Sequence, residues 1–225
     1  MTFAEFSGRV NLSVEEICRR IFYENRDQIK VKKEAVVVKN LVNIYNATLK
    51  LSNKKGFHAM SLRDLARETD LSLGALYSYF SGKEQLLGII QENGARLTGE
   101  MLAREIETGR DPAEKLRIAI RTHLYLSEIM QPWFYFFYME AKNLNKTEQK
   151  KAIASELHTE KLFGDIIAQG VDQGAFAAVD PVLTAAVIKA LLQDWYLKRW
   201  KYRGRKVTVD DYADFVCNMT EKFLN

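Results

Sequence analysis

Glycine and proline are scarce, 12 and 3 of 225 residues, about half the usual share. Sandwiches and barrels use such residues at every strand end, so a chain this poor in them is expected to be helical. Apolar residues recur every three or four positions through most of the sequence, and no confident alternating strand pattern occurs. The fold class read from this is all-α. With 47% hydrophobic and 28% charged residues, the composition is neither disordered nor fibrous, and the length allows one or two domains with a substantial core.

The longest near-continuous apolar run, Pro132 to Met139, falls far short of the roughly 20 residues that span a bilayer. Glu5 and Arg9 stand near the start with no apolar segment behind a basic one, so no secretory signal is read. Two cysteines, Cys18 and Cys217, make no disulfide framework and suit a reducing compartment. The expectation is a cytoplasmic protein.

Net charge is only +4, but it is unevenly spread. Between Lys30 and Lys83 ten basic residues face four acidic ones, giving +6 and leaving −2 for the remainder. A basic N-terminal third on a slightly acidic body suits contact with a polyanion, although a solvated charged surface has the same composition.

Element boundaries follow from caps and periodicity. Leu12, Ile17, Ile21 and Phe22 mark a short amphipathic helix over 12–25, and 26–33 is a polar, basic linker or arm. Val37, Leu41, Ile44, Tyr45, Thr48 and Leu49 mark a helix from Glu34 to Asn53, closed near Gly56. Ser61 with Asp64 three residues on is a capping box, and the helix it opens stops near Asp70. Ser72 caps the next, over 72–80. Another start at Ser81–Glu84 leads into a long helix to about Glu107. Asp111-Pro112 and Asp180-Pro181 are N-cap and first-turn proline pairs, opening helices to about Met130 and Tyr202. Pro132 opens one to about Leu144, Thr147–Gly174 is one helix or two, and Thr208 opens the last.

The segments 61–69 and 72–80, joined by the short turn Asp70-Leu71, have helix-turn-helix dimensions. Leu76 and Phe80 brace the second from inside. Gly74 and Ala75 keep its leading turn thin enough to approach base edges, while Tyr77, Ser78 and Tyr79 offer hydroxyls. Lys83 lies where the next helix's amides add to a phosphate contact.

These residues, together with Ala47, Ser52, Gly56-Phe57, Ser61-Leu62-Arg63-Asp64-Leu65-Ala66 and Lys83-Glu84-x-Leu86, resemble the DNA-binding domain of TetR-type (TetR/AcrR) transcriptional regulators. The resemblance covers about 40 residues and is specific as an ensemble. It implies a homodimeric, mostly repressing regulator that reads half-sites of a palindromic operator about one helical turn apart. A small-molecule effector in the C-terminal domain would change that spacing. The implied DNA contacts are Ser61, Arg63, Leu73, Gly74, Ala75, Tyr77, Ser78, Tyr79 and Lys83. The implied organisation is an N-terminal extension over 1–33, a DNA-binding domain over 34–85 and an effector and dimerisation domain over 86–225. Asp70 replaces the glycine usual in the turn, a small cost because aspartate tolerates the left-handed region. Met60 replaces a common hydroxyl residue. Lys30, Lys32 and Lys33 form either a groove-reaching arm or part of a disordered or self-packed tail.

In the body, Trp133, Phe136 and Phe137, with His123 and Tyr125 from the preceding helix, are the candidate wall of an effector pocket. Taken one by one, such aromatics are more often core than ligand wall. A lipophilic effector is expected, and no other cofactor. The resemblance assigns the last two helices to an intersubunit bundle through Leu191, Leu192, Trp195, Tyr212, Phe215, Val216, Met219 and Phe223; packing inside the subunit is the alternative. The basic run from Lys198 to Lys206 suits a helix C-terminus or an anion.

No metal-binding or phosphate-loop motif occurs, so no catalytic or metal residue is assigned and the chain is not read as an enzyme. A helical enzyme with a vestigial N-terminal domain would have to use His123 or Asp194. An effector-free architectural DNA-binding protein is the other alternative.

Overall fold

The computed structural model describes residues 1–10, 13–27, 29–143 and 145–225. Leu12 and Leu144, helix limits in the sequence reading, lie outside them. Among the described residues there are helices and no strands. The chain forms two compact units, one of residues 11–95 and 132–152, the other of residues 1–10, 96–131 and 153–225. The segment read as a single N-terminal extension therefore divides between them.

In the first unit, α2 (Val14–Glu24), α3 (Glu34–Lys55), α4 (Leu62–Thr69) and α5 (Leu73–Leu76) precede the opening part of α6 (Lys83–Ile106). Ser13 caps α2 by accepting from Glu16 N at 3.1 Å, and α2 buries Ile17, Cys18, Ile21 and Phe22 beside α3. Ile29 is buried in turn, and Lys30 N donates to Ser78 O at 3.0 Å. Lys32 folds its ammonium onto the carbonyls of Arg26 and Ile29. The basic segment is thus strapped to the protein, the self-packed alternative of the sequence reading.

The aromatic helix α8 (Gln131–Glu140) also belongs to this unit. Trp133 Nε1 donates to Ile90 O at 3.1 Å, the Phe136 ring meets Phe57 at 5.9 Å, and Glu140 Oε1 accepts from Phe57 N at 2.9 Å. Gly94 permits this approach, because a Cβ there would lie 2.0 Å from the Trp133 ring. With the indole tied by its own hydrogen bond, the ring cannot simply step aside. Gly94→Ala is expected to cost about 1–3 kcal/mol, as overpacked cores do, read as a lower denaturation midpoint with an unchanged m-value.

The second unit holds α1 (Phe3–Arg9), the rest of α6, α7 (Pro112–Ile129), α9 (Lys146–Asp172) from residue 153 onward, α10 (Pro181–Leu197), α11 (Arg199–Gly204) and α12 (Val209–Leu224). Asp111 and Asp180 cap α7 and α10 through the following backbone amides, and Thr208 with Asp211 forms a capping box on α12. The helix read as running to Tyr202 breaks at Lys198, which leaves the helical region at φ −117° and ψ 37°. α1 docks here. Phe6 is buried against Tyr125, their rings 5.6 Å apart, Phe3 N donates to Asp210 at 2.9 Å, and Arg9 pairs with the buried Glu105 at 2.6 Å.

Burial pushes the Cys18 thiol up to about 12 and the Cys217 thiol up to about 11, so both remain protonated core side chains.

Candidate nucleic-acid interface

α4 opens on the predicted capping box. Ser61 Oγ accepts from Asp64 N at 3.1 Å, and the Asp64 carboxylate accepts from Ser61 N at 2.9 Å. Lys55 and Arg67 close on the same carboxylate at 2.7 and 2.8 Å. The Lys55 bond and those from Ser61 hold its carboxyl well below the usual range. α4 ends at Asp70, whose φ of 56° and ψ of 24° lie in the left-handed region, the conformation the usual glycine would supply.

The second element is shorter than the sequence suggested. α5 spans only Leu73–Leu76, followed by turn residues 77–79. Ser72 caps it through Ala75 N at 3.1 Å. Leu76 and Phe80 are buried as the brace. Ser61, Arg63, Leu73, Gly74 and Tyr77 are exposed, and Ala75 and Ser78 half-buried. These seven present an outward surface whose base-reaching end is thin at Gly74.

Two predicted contacts take other roles. Tyr79 is buried, and its hydroxyl accepts from Asn40 Nδ2 at 2.7 Å. Three residues after Leu76 and next to Phe80, this ring lies on the braced side and packs into the core. Lys83 donates to the carbonyls of Phe57, His58 and Met60 at 2.9–3.1 Å and lies 5.1 Å from the centre of the Phe57 ring. Its ammonium is a clamp on the α3–α4 turn. Met60, 1% exposed, is a core residue at that turn.

The five candidate pocket residues divide between the two units. Trp133, Phe136 and Phe137 belong to the first unit, while His123 and Tyr125 belong to the second. Two residues apart on α7, these last have different neighbours. Tyr125 donates toward Asp210 and Met1 O, whereas His123 faces Lys189 at 3.1 Å. Lys189 escaped the sequence reading, although it is the only charge between Asp180 and Asp194.

The predicted interface helices divide as well. Leu192, Trp195, Tyr212 and Val216 are buried within the subunit. The Trp195 and Tyr212 rings stack at 5.1 Å, the indole donates to Glu128 at 3.1 Å, and Arg199 covers it at 4.2 Å. Leu191 is half-buried. Phe215, Met219 and Phe223 of the predicted set do face outward, joined on α10 by Val182, Leu183 and Val187; all but Met219 are 61–68% exposed. In the basic run, Lys198 and Lys201 pair with Asp194 and Arg199 with Glu128. Although burial pushes the Asp194 carboxyl up, the bonds from Lys198, Lys201 and Tyr202 hold it well below the ordinary range. That makes it a structural anion and a poor proton acceptor.

A capped two-helix turn with a thin exposed leading edge, in an all-helical chain with a second helical unit, defines a helix-turn-helix DNA-binding regulator. Residues 44–88 match the model described as bacterial regulatory proteins, tetR family, and residues 109–221 the model of the tetracyclin repressor-like C-terminal domain. The chain belongs to the TetR family of transcriptional regulators. It is 23% identical to the HTH-type transcriptional regulator HbdR of Aromatoleum sp. (strain CIB) over 80% of this chain and 79% of that one. Among solved structures it resembles the TetR family regulator PfmR from Thermus thermophilus, with TM-score 0.72 and 27% identity over 81% of this chain and 98% of that one. It shares its fold with AibR, solved in complex with isovaleryl coenzyme A and operator DNA, at TM-score 0.70 and 23% identity over 78% of this chain and 95% of that one.

Among the described residues no helix is long and apolar enough to cross a membrane.

Proposed function

We propose that the chain is a repressor that binds a palindromic operator as a homodimer and leaves it when a small molecule occupies the second unit. The exposed edge Leu73-Gly74-Tyr77 carries this reading, because its backbone and short side chains suit entry into a major groove. Ser61 and Arg63, both exposed, supply phosphate contacts beside it. The apolar face of α10 and α12 pairs with its copy and sets two recognition turns one helical turn of DNA apart. Regulation then works by binding alone, on the chromosome in the cytoplasm, and involves no chemical step.

The test is retardation of DNA from upstream of the coding gene, and of duplexes selected from a random library, by the purified chain. Retention at low salt is expected, with log K falling linearly in log salt as phosphate counterions are released. Failure to retain or select any duplex at about 50 mM salt, a condition that favours such contacts, would overturn the reading.

A further inference from the structure

Lys189 places an ammonium in the core of the second unit, 3% exposed, where a methionine would fill similar space without a desolvated charge. Its three hydrogens meet partners on two other helices. These are His123 Nε2 on α7 at 3.1 Å, Thr159 Oγ1 on α9 at 3.1 Å and Glu156 Oε1 on α9 at 3.4 Å. Burial, aided by the neighbouring ammonium, pushes His123 well below its ordinary value, so the ring is neutral and its Nε2 accepts. Thr159 sends its own proton to Glu156 O at 2.8 Å. Both partners are fixed in the core.

Glu156 differs from them. Its side chain is 37% exposed and makes the longest of the three contacts, and the same oxygen accepts from Gln193 Nε2 at 2.8 Å. One carboxylate oxygen therefore sits between an ammonium and an amide, while its stem reaches solvent. Burial pushes the Lys189 pKa down from its ordinary value, and Glu156, followed by Glu160 one turn further along α9, opposes that shift.

We infer that Lys189, with Gln193 and Thr159, is the recognition point for a carboxylate-bearing small molecule, and that Glu156 occupies the place of that carboxylate in the free protein. Exchange needs only rotation of the Glu156 side chain into the solvent it already touches. One carboxylate replaces another, so the ammonium is never left unpaired, the step that makes broken buried pairs costly. A neutral ligand gives Lys189 a hydrogen bond but no opposite charge in return for Glu156. The inference rests on the effector reading of the second unit and adds the ligand's chemical class.

The experiment uses the full chain without DNA, so a failure of operator binding leaves its outcome intact. Straight-chain carboxylates from acetate to decanoate and the matching primary amides are titrated calorimetrically and by thermal shift. At least one carboxylate is expected to saturate the protein while its amide does not. Glu156→Gln keeps the bond to Gln193 and removes the competing charge, so the same carboxylate should bind about tenfold more tightly. Lys189→Met should fold and lose the response. Amides binding as well as carboxylates would overturn the inference. So would an affinity unchanged or weakened in Glu156→Gln, or the absence of saturation by any carboxylate in both wild type and that variant. The Glu156→Gln comparison decides the matter even where Lys189→Met does not fold.

Discussion

Gly74→Leu is expected to abolish operator binding while leaving the protein as stable as before. Gly74 is exposed at the leading turn of α5, and a Cβ there would meet only Ser72 Oγ, at 3.9 Å. The free protein has room for the side chain, and losing a helical glycine stabilises by roughly 0.5–1 kcal/mol. The DNA complex does not have that room. The turn must bring its backbone against base edges in a groove about 12 Å wide, and an isobutyl group holds it off by more than a hydrogen bond tolerates. Anisotropy with the selected duplex should show a loss of at least about 100-fold, roughly 2.7 kcal/mol, with an unchanged or slightly raised melting temperature. Wild-type affinity in this variant would place the DNA somewhere other than at this turn.

What the sequence made legible was local. Ser61 with Asp64, Asp111 with Pro112, Asp180 with Pro181 and Thr208 with Asp211 each satisfy helix-end amides within four residues, so their pattern survives any tertiary arrangement. Asp70 in the left-handed region belongs to the same class. Roles that depend on distant backbone were not legible. The clamp at Lys83 exists only because the carbonyls of Phe57, His58 and Met60 converge once α3 and α4 are in place. Tyr79 departs from its expected role because the hydroxyl suggested an outward contact, while its place three residues after Leu76 and next to Phe80 puts the ring on the buried side. The aromatic run on α8 advertises burial and says nothing of its partner, which proved to be Phe57, Ile90 and Gly94. Lys189 was visible as a lone charge in an apolar helix. The periodicity rules applied to α10 treat such a residue as an interruption of a face, which is why its site went unread.

α10 shows the same difficulty in the choice of face, and it leads to the second large effect. The helix is apolar nearly all round, so spacing alone cannot say which stripe faces outward. Burial decides it. Ala185, Ile188, Leu192 and Trp195 face the subunit core, while Val182, Leu183 and Val187 are exposed beside Phe215, Met219 and Phe223 of α12. Large apolar side chains gathered on two neighbouring helices are what a self-associating face requires, and each is worth about 1.5–3 kcal/mol when fully buried. A twofold contact places Leu183 and Phe223 of both copies in one interface, so the double variant Leu183→Glu, Phe223→Asp introduces four carboxylates with no cation among the apolar residues they join. Unpaired charges buried in this way cost several kcal/mol each, more than such a contact can absorb. On the proposed homodimer, sedimentation is expected to show a dimer for the parent and a monomer for the variant at micromolar concentration. Operator affinity should fall by two orders of magnitude or more, about 2.7 kcal/mol, because on the proposed palindromic operator each half-site would then be bound separately. Tyr23→Asp, a substitution at a residue 52% exposed on α2, serves as the control and should leave the dimer intact. A double variant that still sediments as the parent does would mean that the copies meet through another surface and that this apolar face serves a different partner.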